Sequence, residues 1–96
     1  MPLEFEWDLR NAKTNLRKHG VSLDEACTVF DDAGATIFLD EEHSNGEERE
    51  IIVGYSILGR LLLVSFTERS VDRVRIISAR KATRREKKDY EENFGS

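Results

Sequence analysis

The sequence predicts an α+β fold in which an antiparallel β-sheet is packed by two N-terminal helices and one C-terminal helix. Two segments with a helical spacing of apolar residues occupy the first third of the chain, and apolar segments separated by short turns follow between residues 35 and 78. Short turns join neighbouring strands in an antiparallel sense, and amphipathic helices can cover a face of the resulting sheet. The 96 residues fit a single domain, 1–96, and are too few for two full domains or a large barrel.

The N-terminal segment combines a short strand with a capped helix. Apolar and acidic residues alternate over Leu3–Trp7, which indicates a half-buried strand or an extended arm. Asp8 can cap the following helix through its carboxylate, and Gly20 can end that helix in the left-handed conformation. The helical spacing predicts one apolar stripe, formed by Leu9, Ala12 and Leu16.

The second helix begins with a capping box. Ser22 and Glu25 have the spacing at which two side chains satisfy two free amide donors reciprocally. The apolar face that follows consists of Leu23, Ala26, Cys27 and Phe30. We expect Cys27 to pack in the core, because a reactive thiol requires exposure and an electropositive neighbour. Asp31 and Asp32 are predicted to end this helix.

The middle of the chain predicts the strands of the sheet. Ala35–Leu39 is a short strand candidate, and an acidic loop with an Asn45–Gly46 turn signal follows over Asp40–Glu48. A tight hairpin at Leu58–Gly59 is predicted to join two strands, and a third strand follows. These three strands are Arg49–Ile57, Arg60–Thr67 and Arg73–Ser78. The second of them contains four consecutive apolar residues, Leu61–Val64, which is typical of a central strand covered on both faces. Thr83 and Glu86 repeat the capping-box spacing and predict a last helix that runs to about Asn93.

The net charge of −4 conceals two halves of opposite sign. Residues 1–48 carry four basic and twelve acidic side chains, whereas residues 49–96 carry eleven basic and seven acidic ones. This split indicates a polyanion partner at one end and a basic protein partner at the other, or else two halves that pair with each other in the fold. The single cysteine excludes an internal disulfide framework and a cysteine-rich zinc site. With no long apolar run and no N-terminal signal pattern, we expect a soluble cytoplasmic protein without membrane contact.

The basic residues of the second half form the most informative set. A period of two places Arg73 and Arg75 on one face of their strand, continued by Ile77, and places Val74 and Ile76 on the core face. Helical spacing places four cations within an arc of about 100° opposite Ala82, Glu86 and Tyr90. These cations are Lys81, Arg84, Arg85 and Lys88. The arrangement indicates either a track for phosphate groups, which guanidinium forks bind well, or a solvated surface paired with nearby carboxylates.

Three further sets of residues could have either a chemical role or a purely structural one. His19 is either an acid or base that titrates near neutral pH or a cap that interacts with the dipole of the first helix. Glu68 and Arg69 are either a general base with a cationic partner or a surface ion pair. Asp40, His43 and Glu47 could be proposed as metal ligands, but no defined ligand spacing supports them and a solvated loop is favoured.

Four stretches of the sequence resemble the BrnT toxin family. They are FEWD at 5–8, NLRKHGVSLDEACTVFDD at 15–32, TERS at 67–70 and RVRIISARKATRREKKDYE at 73–91, and the loop with His43 and Glu48–Arg49 also matches. The resemblance implies a RelE-like fold and an endoribonuclease that restrains translation without a cofactor. It also implies a cognate BrnA antitoxin of the ribbon-helix-helix class, operator DNA bound only through the toxin–antitoxin complex, and a two-plus-two heterotetramer.

The resemblance also suggests roles for individual residues. The family pattern maps onto His19, Glu68, Arg69, Arg75 and Arg80 as catalytic residues. In a metal-independent cleavage, Glu68 or His19 would transfer protons while the three arginines stabilise the charge on the phosphate. The RNA backbone would be held by Arg73, Lys81, Arg84, Arg85 and Lys88. The alternative hypothesis is a non-catalytic module that binds an antitoxin and acts as a co-repressor.

Overall fold

A mixed five-stranded sheet with helices on both faces organises the chain. The computed structural model describes residues 3–43 and 46–94, with the His43 side chain outside this description. The elements are β1 Glu4–Glu6, α1 Leu9–His19, α2 Leu23–Thr28, β2 Thr36–Leu39, β3 Glu50–Tyr55, β4 Leu61–Ser70, β5 Arg73–Lys81 and α3 Arg84–Asn93. Single 3₁₀ turns lie at Val29–Asp31 and Glu41–His43. Within the described part of the chain, no helix has the length and apolar character needed to cross a membrane.

The sheet confirms the predicted α+β architecture but is not entirely antiparallel. Its strand order is β1-β5-β4-β3-β2, so the long strand β4 is central, as its apolar run predicts. Three of the four strand pairs are antiparallel, whereas β1 runs parallel to β5 with Glu4 opposite Arg73 and Glu6 opposite Arg75. The neighbour of β1 in the sheet is β5, which follows in the chain only after two helices and three other strands. No local turn signal encodes a pairing between segments so far apart.

Alternate residues of β3 and β4 supply two apolar layers, one on each face. On the face covered by α1 and α2, the core includes Ile52, Val64 and Phe66. On the other face, Val53 and Leu61 pack with Tyr90 of α3. The Tyr90 hydroxyl donates a hydrogen bond to the Gly34 carbonyl at 2.5 Å, which fixes α3 over the β2–β3 half of the sheet.

A buried asparagine anchors α1, and the predicted apolar stripe is wrong for two of its three residues. Leu9 is 75% exposed and Leu16 is 54% exposed, whereas Asn15 is buried. The Asn15 amide donates to the carbonyls of Val21 and Ala79, each at 2.8 Å, and its oxygen accepts from the Ala79 N–H at 2.9 Å. Asn15 therefore completes the backbone hydrogen bonding of β5 beyond the point where β1 ends.

The second helix follows its prediction in most respects. Ser22 caps α2, and Cys27 is half-buried against the core, where burial raises the pKa of its thiol to about 11. The helix ends at Thr28 and continues as a 3₁₀ turn to Asp31, so the predicted helix end at Asp31–Asp32 corresponds to this turn. Glu25 is buried and binds the guanidinium of Arg60 and the hydroxyl of Ser56, which ties α2 to the β3–β4 hairpin.

The C-terminal helix confirms the second capping box. Thr83 and Glu86 each accept from the other's backbone N–H, and the helix extends to Asn93. Lys81 belongs to β5 and not to this helix, so the predicted helical stripe loses one of its four cations. The predicted turn at Asn45–Gly46 lies partly outside the described residues, since Asn45 is not among them.

We predict that Asn15→Ala destabilises the protein by about 2–4 kcal/mol, because the buried N–H and C=O of Ala79 and the C=O of Val21 lose their partner. Urea unfolding followed by circular dichroism measures this loss. Asn11→Ala, on an exposed position of the same helix, is the matched control and should change the free energy of unfolding by less than about 0.5 kcal/mol. Equal losses for the two variants would contradict the anchoring role of Asn15.

We predict that Glu25 makes stability depend on pH in the acid range. The hydrogen bond from Arg60 lowers the pKa of Glu25 below its ordinary value of 4.5, so the folded state favours the ionised carboxylate. This stabilisation is present above pH 4.5 and is lost as the pH falls through the lowered pKa. Glu25→Gln should be less stable than wild type at pH 7 but lose less stability between pH 6 and pH 3. Asp24→Asn, an exposed neighbour, should keep the wild-type pH dependence, and an unchanged slope in Glu25→Gln would contradict the assignment.

Candidate functional site

Three arginines of β5 lie on one face of the sheet because the strand contains a bulge. Ser65 pairs with Ser78, but the next residue of β4, Phe66, pairs with Ile76, so Ile77 is an extra residue in β5. Strict alternation would place Arg80 on the face opposite Arg73 and Arg75. The bulge reverses the alternation, which buries Ala79 in the core and brings Arg80 to the side of the other two. We call Arg73, Arg75 and Arg80 the arginine face.

The arginine face remains accessible to solvent. Its three side chains are 36–52% exposed. The face lies on the same side of the sheet as α3, since Arg80 pairs with Leu63, which packs toward Tyr90. Because α3 packs over β2 and β3 through Phe38, Tyr55 and their neighbours, it leaves the β5 side of this face open.

Each member of the arginine face has a carboxylate partner. Arg73 contacts Glu4 at 3.4 Å, and Arg75 contacts Glu6 at 3.1 Å. Arg80 forms a two-pronged pair with Glu86, with Nη1···Oε1 at 2.7 Å and Nη2···Oε2 at 2.8 Å. The sequence left open whether these cations face phosphate or pair internally, and the structure pairs them. Glu4 and Glu6 were not foreseen as partners, although their period of two matches that of Arg73 and Arg75.

The pair between Arg80 and Glu86 is the most strongly organised of the three. The hydrogen bond from Arg80 is the largest cause that lowers the pKa of Glu86 to about 2, and the same bond raises the pKa of Arg80. Glu86 also caps α3 by accepting from the Thr83 N–H at 2.8 Å. Both side chains are more than one third exposed, so water screens their attraction and a competing anion can reach Arg80.

Glu68 and Lys81 lie on the opposite face of the sheet from the arginine face. Glu68 pairs with Val74 and Lys81 pairs with Leu62, and both partners belong to the core under α1 and α2. The charge of Lys81 helps to lower the pKa of Glu25 on that side. Directly paired residues share one face of a sheet and adjacent residues do not, so Glu68 of the predicted catalytic set and Lys81 of the predicted RNA-binding set lie apart from the arginine face.

Glu68 belongs instead to an acidic corner. Glu47, Glu48, Glu50 and Glu68 line a cavity of about 370 Å³ at this end of the sheet. Burial raises the pKa of Glu50, and the charges of Glu68 and Glu48 raise it further. Arg69 contacts Glu47 at 3.3 Å at the rim of this corner. Among the side chains that the structure describes, no group of three or more His, Cys, Asp or Glu residues could hold a metal ion.

His19 lies at the C-terminal end of α1, near the end of β5. Asn15, one turn earlier, is bonded to Ala79, the residue before Arg80. The carbonyl of Gly20 accepts from Arg60 at 3.2 Å, and the neighbouring Leu61 accepts from the Ala82 N–H. The end of α1 and the end of β5 are thus held together. His19 is exposed, and no hydrogen bond or ion pair joins it to the arginines within residues 3–43 and 46–94.

The cations of α3 form a separate surface. Arg84, Arg85 and Lys88 are exposed, while Tyr90 is buried against the sheet, as the helical spacing predicts. They point away from the sheet and do not converge with the arginine face into one concave surface. The expected continuous track is therefore two adjacent basic surfaces, one on the sheet and one on the outer side of α3.

Comparison with known proteins identifies the family and the fold. A model of the family described as "Ribonuclease toxin, BrnT, of type II toxin-antitoxin system" matches residues 7–86, which includes the arginine face and Glu86. The crystal structure of the Brucella abortus ribonuclease toxin BrnT superposes with a TM-score of 0.66 at 20% sequence identity, over 85% of this chain and 99% of that one. Among curated proteins, the search finds no match. Since the family model spans most of the 96 residues, the chain belongs to the BrnT family of ribonuclease toxins of type II toxin–antitoxin systems.

Proposed function

We propose that residues 1–96 form a single toxin domain that cleaves RNA without a metal ion and thereby inhibits translation. Membership of this family implies an RNA target and an antitoxin partner. The observation that carries the catalytic part of the proposal is the bulge in β5, which gathers three guanidinium groups on an accessible sheet face. Guanidinium groups placed where negative charge develops on phosphoryl oxygens stabilise the transition state of phosphodiester cleavage.

The reaction we propose is an internal transesterification. The ribose 2′-oxygen attacks the adjacent phosphorus, the bond from phosphorus to the 5′-oxygen breaks, and a 2′,3′-cyclic phosphate forms. A base takes the proton of the 2′-hydroxyl, and an acid gives a proton to the departing 5′-oxygen. Guanidinium groups supply positive charge to the phosphoryl oxygens in the transition state, so the charge stabilisation does not call for a metal ion.

Arg80 is the proposed centre of charge stabilisation. Its guanidinium already presents two donors to the two oxygens of Glu86, at 2.7 and 2.8 Å. A phosphate presents two oxygens in a similar fork and binds arginine in the same two-pronged way. We propose that the scissile phosphate replaces Glu86 at Arg80, while Arg75 and Arg73 hold the neighbouring phosphates.

His19 is the proposed proton-transfer residue. It lies at the end of α1, which covers the opposite face of the sheet but is held at the β5 edge by the Asn15–Ala79 and Gly20–Arg60 hydrogen bonds. This places His19 at the edge beside the end of β5, where Arg80 is located. Glu68, the other candidate, lies on the opposite face of the sheet in an acidic corner that repels phosphate. Arg69 is at the rim of that corner, so we propose no role for Glu68 or Arg69 in the cleavage step.

The remaining RNA contacts are assigned to α3. Arg84 and Arg85 follow Arg80 closely in the chain, and Lys88 continues their exposed surface along the helix. We propose that these cations bind the backbone that leaves the arginine face, as phosphate contacts that position RNA without reading its sequence. Lys81 is not included, because it lies on the other face of the sheet.

The proposed partner is a BrnA-like antitoxin with a ribbon-helix-helix segment. The family description names a type II system, in which a protein antitoxin neutralises the toxin. The resemblance of the sequence to BrnT supports the rest of this proposal: a heterotetramer in the cytoplasm that binds operator DNA through the antitoxin.

We predict that Arg80→Ala and His19→Ala each lower the rate of RNA cleavage by about 100- to 1000-fold, the cost of removing one group that acts in the transition state. The measurement is single-turnover cleavage of a defined RNA in EDTA. Arg10→Ala, which removes the same guanidinium from an exposed position of α1, is the control and should retain wild-type activity.

Three outcomes would contradict the proposal in different ways. Equal rates for wild type, Arg80→Ala and His19→Ala would remove both residues from the mechanism. RNA left intact by the wild-type protein, together with tight binding of the antitoxin, would favour the non-catalytic co-repressor module. Activity that EDTA abolishes would contradict the metal-independent reaction.

We predict that Glu86→Gln lowers the KM for RNA by about two- to fivefold, because an exposed ion pair of modest strength no longer competes with phosphate for Arg80. Glutamine preserves the capping box of α3, so the helix should keep its stability. The measurement is steady-state cleavage kinetics with thermal unfolding as the check on folding. Glu92→Gln, exposed on the same helix, controls for the general gain of positive charge, and an equal effect of the two changes would contradict the competition.

A further inference from the structure

The strand β2 forms an open apolar edge of the sheet. It pairs only with β3 among the described strands, and its residues Ile37, Phe38 and Leu39 are 42–52% exposed. An exposed hydrophobic edge strand readily accepts a further strand, so soluble proteins usually cover or charge such edges. β2 therefore resembles an edge strand to which a partner adds a further strand.

The backbone of β2 offers hydrogen-bonding groups to that partner. The Asp40 N–H donates to the Arg49 carbonyl, which continues the β2–β3 pairing by one residue beyond Leu39 and Glu50. Because the backbone groups of alternate residues in an antiparallel strand point to opposite edges, Asp40 and Phe38 direct theirs toward β3. Ile37 and Leu39 direct their N–H and C=O groups away from β3, toward the free edge.

The other edges of the sheet are closed to strand addition. β1 is only three residues long and carries Glu4 and Glu6, and charged residues on a short strand discourage pairing. The part of β5 that extends beyond β1 is capped by the Asn15 amide at Ala79. Within the described residues, β2 is thus the edge at which an apolar strand can add.

A groove beside β2 provides an anchor for a side chain. A cavity of about 280 Å³ lies between α3 and the sheet, lined by Phe38, Val53, Leu63, Tyr90 and Phe94 among others, and large enough for an apolar side chain. The ring centroids of Phe38 and Phe94 are 5.8 Å apart. Glu86 also lines this groove, so the groove extends from β2 to the carboxylate that binds Arg80.

The charge around β2 defines the chemistry of the partner. Residues 40–43 and 46–50 contain six carboxylates and one guanidinium, and Glu41 and Glu42 are exposed directly after the strand. A second copy of this chain would bring the same excess of carboxylates, whereas a segment with Lys or Arg would be attracted. The charge therefore favours a basic partner over self-association.

We propose that β2 receives an extended segment of the antitoxin, which adds as a sixth strand with an apolar side chain in the Phe38–Phe94 groove and Lys or Arg beside Glu41 and Glu42. This inference rests on the proposed function for the existence of the antitoxin. The mode of binding is strand addition, in which main-chain hydrogen bonds supply affinity and alternate side chains supply specificity.

The first test removes one free-edge donor without breaking a bond to β3. Ile37→Pro deletes an N–H that points away from β3, and proline is tolerated at such an edge position. The probe is the full-length antitoxin encoded beside the toxin gene, titrated by calorimetry. We expect about a tenfold loss of affinity, with the RNA cleavage of the free toxin unchanged. Hydrogen exchange should show slowed amides at Ile37 and Leu39 in the wild-type complex.

The second test leaves the strand intact and changes only charge. Glu42→Lys on the exposed turn should weaken antitoxin binding about fivefold at low salt, and the difference should shrink at high salt. Asp24→Lys, the same change of charge on the exposed side of α2, is the matched control and should bind as wild type does.

The outcomes separate this inference from the proposed function. Antitoxin binding that stays within twofold of wild type in both Ile37→Pro and Glu42→Lys overturns the β2 site and leaves the proposed function standing. Protection of β2 amides through dimerisation of the free toxin, detected by sedimentation, also overturns it in favour of a second copy. A wild-type toxin that cleaves RNA but binds no antitoxin overturns the proposed partner and this inference together.

Discussion

The extra residue at Ile77 determines which way the last residues of β5 point. Before it, Arg73 and Arg75 face the open side of the sheet, and after it Arg80 does so while Ala79 enters the core. The bulge cannot relax without pulling Ala79 out of the core and away from the Asn15 amide. Core packing and a buried hydrogen-bond donor therefore hold the direction of Arg80, which is how a rigid scaffold positions a functional side chain. α1 depends on the same contact, because Asn15 is its buried link to the sheet.

The opposite charges of the two halves of the sequence are only partly cancelled in the fold. Glu4 and Glu6 come from the acidic half and pair with Arg73 and Arg75 from the basic half. In the segment that follows β2, carboxylates outnumber cations, although Arg69 contacts Glu47 there. The protein thus has an arginine face whose cations are paired with carboxylates, and an end of the sheet with an excess of negative charge. Of the two alternatives that the charge split suggested, the structure shows the pairing between the halves at the arginine face. The binding of a polyanion at one end and of a basic protein at the other stays a prediction.

The sequence predicted those features that local chemistry determines. The Thr83–Glu86 capping box, the Ser22 cap, the β3–β4 hairpin, the central position of Leu61–Val64 and the burial of Tyr90 follow from residue types at short spacing. The capping box predicted at Ser22 and Glu25 forms only in half, because the Glu25 carboxylate binds Arg60 and Ser56 instead of the Ser22 N–H. The parallel pairing of β1 with β5 joins residues far apart in the chain, and no periodicity encodes it. Asn15 was missed because a polar residue on a helix is ordinarily placed toward solvent, so Leu9 and Leu16 were assigned to the core in its place. The candidate arginines were found by composition and by resemblance, whereas strict alternation would have put Arg80 on the wrong face.

The helix α3 contacts both the edge strand β2 and Arg80 of β5. Tyr90 and Phe94 pack the last turns of this helix against β2 and β3, and Glu86 in its first turn holds Arg80. A partner that adds to β2 and fills the groove beside Phe38 touches the helix at one end, while the proposed scissile phosphate must displace Glu86 at the other. The proposed antitoxin segment and the proposed phosphate would thus both contact residues of this one helix or their partners. Antitoxin binding would oppose RNA binding without covering the arginine face if the two ligands favour different positions of α3.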